Sequence, residues 1–115
     1  MFNFIEENEL YEAVLNGISF ICSDLYEGCE EEAENISKVY ADKEKEMAVY
    51  MNQNGLVELF GLQTAESALA KLGKPQVDLD LGMVTFPNQT FDDTHTIAVA
   101  YDGYLDEFTD VLIDE

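Results

Sequence analysis

The sequence predicts an α+β domain: a long N-terminal amphipathic helix packed on a largely antiparallel β-sheet, with one further short helix. Three observations carry this expectation. Apolar residues in the first third recur at three-and-four spacing, start and stop signals for a helix bracket residues 64–72, and the second half alternates apolar with polar residues between turn dipeptides.

Tyr11, Val14, Leu15, Ile18, Ile21, Cys22, Leu25 and Cys29 follow the helical spacing, so one helix, or two in line, is expected from about residue 4 to about residue 35. At 100° per residue, Glu6, Glu9, Asp24, Glu27, Glu31 and Glu34 fall within roughly an 80° arc nearly opposite the apolar stripe. Gly17 lowers helix propensity inside this run, so either the helix breaks there and Phe20 turns inward, which is favoured because an exposed Phe is the less common state, or Phe20 stands exposed between two acidic clusters. From Lys38 to Phe60, Met47, Val49 and Met51 alternate before Asn54-Gly55, which predicts a hairpin. TAESALAKL (64–72) predicts a short helix capped by Thr64, with Gly73 just past its end and Pro75 preventing continuation. Val77, Leu79 and Leu81 alternate with Asp78 and Asp80 in a strand expected to run on to Phe86, before a turn at Pro87-Asn88. Thr94–Tyr101 is a further strand, and Asp102-Gly103 a two-residue hairpin turn into Tyr104–Ile113. No repeat, linker or low-complexity stretch divides the chain, so residues 1–115 are read as one acidic domain.

Charge is the dominant property of the composition. The chain has 25 Asp or Glu against five Lys, no Arg, and a formal charge of −20 over 115 residues. With 47% apolar residues, including seven Phe and six Tyr, it still has the material for a core, so the charge does not imply disorder. Phosphate recognition needs Lys or Arg, so direct nucleic-acid binding and adhesion to anionic membrane are excluded as expectations. MFNFIEENELYEAVL lacks the basic start and uninterrupted apolar stretch of a signal peptide, which predicts a cytoplasmic location.

Chemical sites are sparse. Cys22 and Cys29 lie seven apart, which on a helix is too distant for a disulfide, so they read as buried free thiols. The only histidine, His95, stands between two threonines with no nucleophile placed near it by a motif, and reads as structural. Asp78-x-Asp80-x-Gly82 departs from a calcium loop, with Gly at position five and Met at position six. The pairs Asp92-Asp93 and Asp106-Glu107 are non-specific among so many acids. The sequence therefore predicts no enzyme, no cofactor and no metal.

Carboxylates at i,i+3 and i,i+4 on a helix have Cβ atoms about 5–6 Å apart, and i,i+2 neighbours on a strand lie about 6.6 Å apart. Successive phosphates along a DNA strand are separated by roughly 6–7 Å, so rows of Glu and Asp can occupy a basic DNA-binding groove. In size, charge and absence of Arg, with Glu27, Glu30, Glu31, Glu34, Asp78 and Asp80 prominent, the chain resembles the small acidic DNA-mimic proteins of bacteria and phages. That resemblance implies a non-enzymatic inhibitor that binds a basic nucleic-acid-binding surface on a nucleoid protein, repressor, restriction enzyme or nuclease. The alternatives are an immunity protein neutralising a nuclease toxin, or a halo-adapted or scaffold domain. The expected partner-binding residues are Asp24, Glu27, Glu30, Glu31 and Glu34 on a helix, with Asp78 and Asp80 on a strand.

Overall fold

Leu10–Leu15 and Ile18–Cys22 are strands, meeting at Asn16-Gly17, where both residues have positive φ (51° and 78°) as a tight hairpin turn of the primed type demands. A computed structural model describes residues 1–115. It places β1 at Asn3–Ile5, β2 at Leu10–Leu15 and β3 at Ile18–Cys22. The expected helix over residues 4–35 is thus corrected: most of that stretch is a three-stranded meander. Only some of the residues that fit a helical period also fit a period of two: Tyr11 and Leu15 share one face of β2 with Ala13, and Ile18 and Cys22 one face of β3 with Phe20, whereas Val14 and Ile21 face the other way. Phe20 is inward, the favoured of the two alternatives, but on a strand.

The long helix follows as α1, Cys29–Met51. It continues through a π-helical turn, Asn52–Leu56, into α2, Val57–Phe60. The expected hairpin over 38–60 is corrected accordingly. The residues α1 buries, Cys29, Ala33, Ile36, Ser37, Tyr40, Met47, Ala48 and Met51, recur on one helical face, and Glu and Lys, strong helix formers, fill most of the rest. Asn54-Gly55 still interrupts regular geometry, but inside the helical run. Gly55 lies against β7, where an added Cβ would meet Ile113 Cδ1 at 3.1 Å.

α3, Ala65–Leu72, forms where the sequence signals put it, with the Thr64 side chain accepting from Ser67 N at 3.0 Å and Gly73 at its C-cap. β4, Gln76–Asp78, and β5, Met83–Thr85, form a short hairpin where one continuous strand was expected. Leu79 is buried, whereas Leu81 in the turn is 65% exposed. β6, Thr96–Asp102, and β7, Glu107–Asp114, form the last hairpin. Its connection is four residues long, where two were expected, because Leu105 adopts positive φ (62°) and turns its side chain fully into the core.

The seven strands lie in sequence order, antiparallel throughout except for β3 and β4, which are parallel and joined by the helices. The domain is therefore α+β with a largely antiparallel sheet, its long helix following three strands. One row of paired residues crosses the sheet: Ala13, Phe20, Val77, Val84, Val99 and Val111. Phe20, Val77, Val84 and Val99 of this row pack in one core with Ile36, Met47, Met51, Leu56, Ala68 and Leu72 from the helical layer, and the half-buried Val111 lies against it. The opposite face of the sheet has no helix on it. There Ser19 Oγ donates to Glu12 Oε2 at 2.7 Å and Gln76 Nε2 to Ser19 Oγ at 3.3 Å. No helix is long and apolar enough to cross a membrane.

Candidate protein-binding surface

Strand order and direction decide where the acids go. β1 ends, β2 begins, β3 and β4 end, β5 begins, β6 ends and β7 begins at the same end of the sheet, as the pairs Tyr11↔Cys22, Ile21↔Asp78, Asp78↔Met83 and Asp102↔Glu107 show. The β1–β2 turn carries Glu6, Glu7 and Glu9. The β3–α1 loop carries Asp24 and Glu27, and α1 opens with Glu30, Glu31 and Glu32. The β4–β5 hairpin carries Asp78 and Asp80, and the β6–β7 turn is bounded by Asp102 and Glu107 with Asp106 inside it. None of these connections contains a Lys. Lys38, Lys43 and Lys45 lie farther along α1, and Lys71 and Lys74 at or beyond the end of α3, where the carbonyl of Lys71 accepts from Thr90 N.

All seven residues expected at the binding surface therefore lie at or next to this end, though not in the expected manner. Glu30, Glu31 and Glu34 are on α1, but Asp24 and Glu27 are in the loop before it, so no single helical stripe contains all five. Asp78 closes β4 and Asp80 stands in the turn. Glu32, Asp102, Asp106 and Glu107 complete the surface and were not expected there. The Asp-Gly turn signal located Asp102 in a hairpin connection and put Asp106 and Glu107 on the strand after it, but only strand order says which end that connection occupies.

Several of these carboxylates also hold the loops in place. Asp80 Oδ2 accepts from Ser23 N at 2.7 Å, and Asp78 Oδ1 accepts from Asp80 N at 3.1 Å and Leu81 N at 3.2 Å. Leu79 N donates to Ile21 O at 2.9 Å and Tyr101 N to Gly82 O at 3.1 Å, so the β4–β5 turn is tied to β3 on one side and β6 on the other. Tyr26 Oη donates to Glu32 Oε2. Gly28 supplies no side-chain cap to α1, and Glu30, Glu31 and Glu32 stand where the positive end of the helix dipole favours negative charge.

Burial, with help from the charges of Cys29, Asp80, Asp24 and Asp78, pushes the Cys22 thiol up to about 11. Both cysteines are buried and unbridged, as expected, although Cys22 ends a strand and only Cys29 is helical. Burial likewise raises Tyr26, which also donates to Glu32, and Tyr101, which feels Glu32 and Asp78. A thiol held protonated in this way is a poor nucleophile at neutral pH.

One Lys–carboxylate contact, Lys43 Nζ to Glu46 Oε1 at 4.0 Å, is all that offsets the acids directly. Repulsion in the folded state should accordingly be screened by salt. Raising NaCl from 10 to 300 mM is expected to raise Tm by several degrees, roughly the effect of 1 kcal/mol in a domain of this size. An unchanged Tm would contradict this.

A concavity lies on the sheet, reaching from Met83 to the end opposite the acidic connections. A groove of about 340 Å³ is lined by Met83, Thr85, His95, Ala98, Leu112 and Asp114 among others, and was not foreseen from the sequence. His95 Nδ1 is engaged by Asp92 Oδ2, Nε2 lies 3.6 Å from Glu115 Oε1, and the ring meets Phe60 edge-on. Thr94 Oγ1, 3.3 Å away, approaches the nitrogen that Asp92 already holds. His95 thus orders the 86–95 loop together with Gln89, whose Nε2 donates to the carbonyls of Asp92 and His95. No three His, Cys, Asp or Glu side chains are grouped to hold a metal ion.

Burial opposes ionisation of Asp92, but hydrogen bonds from the backbone and side chain of His95, from Gln89 and from Thr94 outweigh it, holding the carboxyl at about 2. A folded-state value below the ordinary one near 3.9 means the contribution is complete above about pH 4–5 and is lost as pH falls through 2. Asp92→Asn is expected to lower stability at pH 7. Urea denaturation at pH 7, 4 and 2.5 should show the gap between wild type and variant closing at the lowest pH; a gap independent of pH would contradict the assignment.

No protein-family model, curated protein or solved structure matches the chain.

Proposed function

We propose that this protein is a non-enzymatic inhibitor that presents the acidic end of its sheet to the basic nucleic-acid-binding surface of a protein partner and competes there with DNA. The observation that carries this reading is an asymmetry of charge: carboxylates stand on every connection at one end and no lysine does, whereas the remaining acids, Asp92, Asp93, Asp114 and Glu115 among them, share the rest of the molecule with all five lysines. Charge acquired for solubility or salt adaptation alone has no reason to be sorted in this way. The scale also suits the task. Six inter-strand gaps of about 4.8 Å give an acidic edge of roughly 29 Å, close to one turn of duplex DNA at about 34 Å. A field of one sign over such an edge accelerates encounter with a cationic groove, and the same charge repels nucleic acid itself.

The experiment is capture from cell lysate on the immobilised protein at low salt, elution by a salt gradient, and a DNA-displacement assay on each recovered protein. Recovery of DNA-binding proteins that release DNA when the chain is added supports the proposal. A single nuclease toxin, neutralised on binding, would assign the chain to the immunity class. Recovery of no nucleic-acid-binding protein would contradict both.

A further inference from the structure

We infer that the acidic end is a docking surface with an apolar centre, and that its partner is a folded basic protein with an apolar depression among its cations. The inference rests on the function proposed above and specifies the partner it requires. Four large apolar side chains are exposed on three adjoining connections: Leu25 and Tyr26 between β3 and α1, Leu81 between β4 and β5, and Tyr104 between β6 and β7. Leu81 is 65% exposed and Tyr104 41%. The three connections are neighbours, because the β4–β5 turn is hydrogen-bonded to Ser23 through Asp80 and to Tyr101 through Gly82.

Replacement of phosphates alone gives these side chains no role. Surrounded by carboxylates, with no Lys on the same connections, they have the arrangement of a protein interface: an apolar centre that carries affinity and a charged rim that carries association rate. Aromatic residues in such a centre are the usual anchors. Tyr26 is held in place by its bond to Glu32, so little side-chain entropy remains to be lost on docking. Beside it the Tyr101 hydroxyl, on a residue only 7% exposed, has no hydrogen-bond partner and lies in the field of Glu32 and Asp78.

The test uses two synthetic peptides, an octalysine and a peptide of eight lysines with three interspersed leucine or phenylalanine residues, titrated into the full chain in 50 mM NaCl. Amide shifts locate binding and calorimetry gives affinity. Both peptides are expected to perturb residues 23–28, 79–82 and 103–106. The apolar-containing peptide should bind roughly tenfold tighter or more, since burying one leucine is worth about a decade in affinity. In the double variant Leu81→Ser with Tyr104→Ser, both exposed positions, that gain should disappear while octalysine affinity stays within about twofold. Equal affinity for the two peptides, or a gain that survives the double variant, would overturn the apolar centre and leave the electrostatic reading standing. Shifts spread evenly over the molecule would overturn both.

Discussion

Phe20→Ala is expected to lower unfolding free energy by about 3–5 kcal/mol, enough to leave a domain of ordinary stability marginal. Phe20 is fully buried at the middle of the row that crosses the sheet, paired with Ala13 on one side and Val77 on the other. Loss of the ring opens a cavity in the one place where the N-terminal meander meets the C-terminal hairpins. Val14, on the neighbouring strand but facing away from the helices, is 64% exposed, and Val14→Ala is expected to change stability by no more than about 0.5 kcal/mol. Urea denaturation of the two variants checks the strand assignment. Had residues 4–35 formed one helix, Val14 would lie on its apolar stripe and Phe20 on its acidic face, and the order of the two effects would be reversed. A Phe20→Ala loss below about 1 kcal/mol would contradict the core described here.

The two Asn-Gly dipeptides explain most of what was and was not legible in the sequence. Asn54-Gly55 announces a hairpin and instead interrupts a helix; Asn16-Gly17 sits in an apparently helical period and is a hairpin turn. Their flanks decide between the two outcomes. LYEAVL and ISFIC alternate on one face and supply β-branched and aromatic residues, whereas MAVYM, with a Val and a Tyr of its own, directly continues the Glu- and Lys-rich helix-forming run ADKEKE of α1. Three alternating residues at 47–51 were too few to establish a strand against that background. Where local signals agreed, as in Thr64 with Gly73 and Pro75, or in the alternation of Ile97, Val99 and Tyr101, element and burial were both readable.

The candidate site was legible in composition and only partly in placement. Asp24, Glu27, Glu30, Glu31 and Glu34 are close in sequence, so they share a neighbourhood whether that segment is helix or loop. Asp102, Asp106 and Glu107 join them only because seven strands lie in sequence order with one parallel step, a property of the whole chain that no local pattern encodes. The groove beside His95 was hidden for the same reason, since Met83, Ala98 and Leu112 come from three different strands.

The central claim is that charge at one end of the sheet, and not total charge, drives binding. Glu27, Glu31 and Glu34 are exposed at that end; unlike Asp78 and Asp80 they hold no loop by hydrogen bonds, so changing all three to Gln removes charge with little risk to the fold. Glu44, Glu46 and Glu58, on the later part of α1 and on α2, supply a control with the same charge count. The deciding measurement is the association rate of each triple variant with a DNA-binding protein recovered by low-salt capture, over a series of NaCl concentrations. The account predicts that the first triple slows association roughly tenfold at low salt and flattens its salt dependence, while the control changes it far less. Equal losses from both triples would reduce the effect to net charge alone, and no loss from the first would contradict the acidic end as the binding surface.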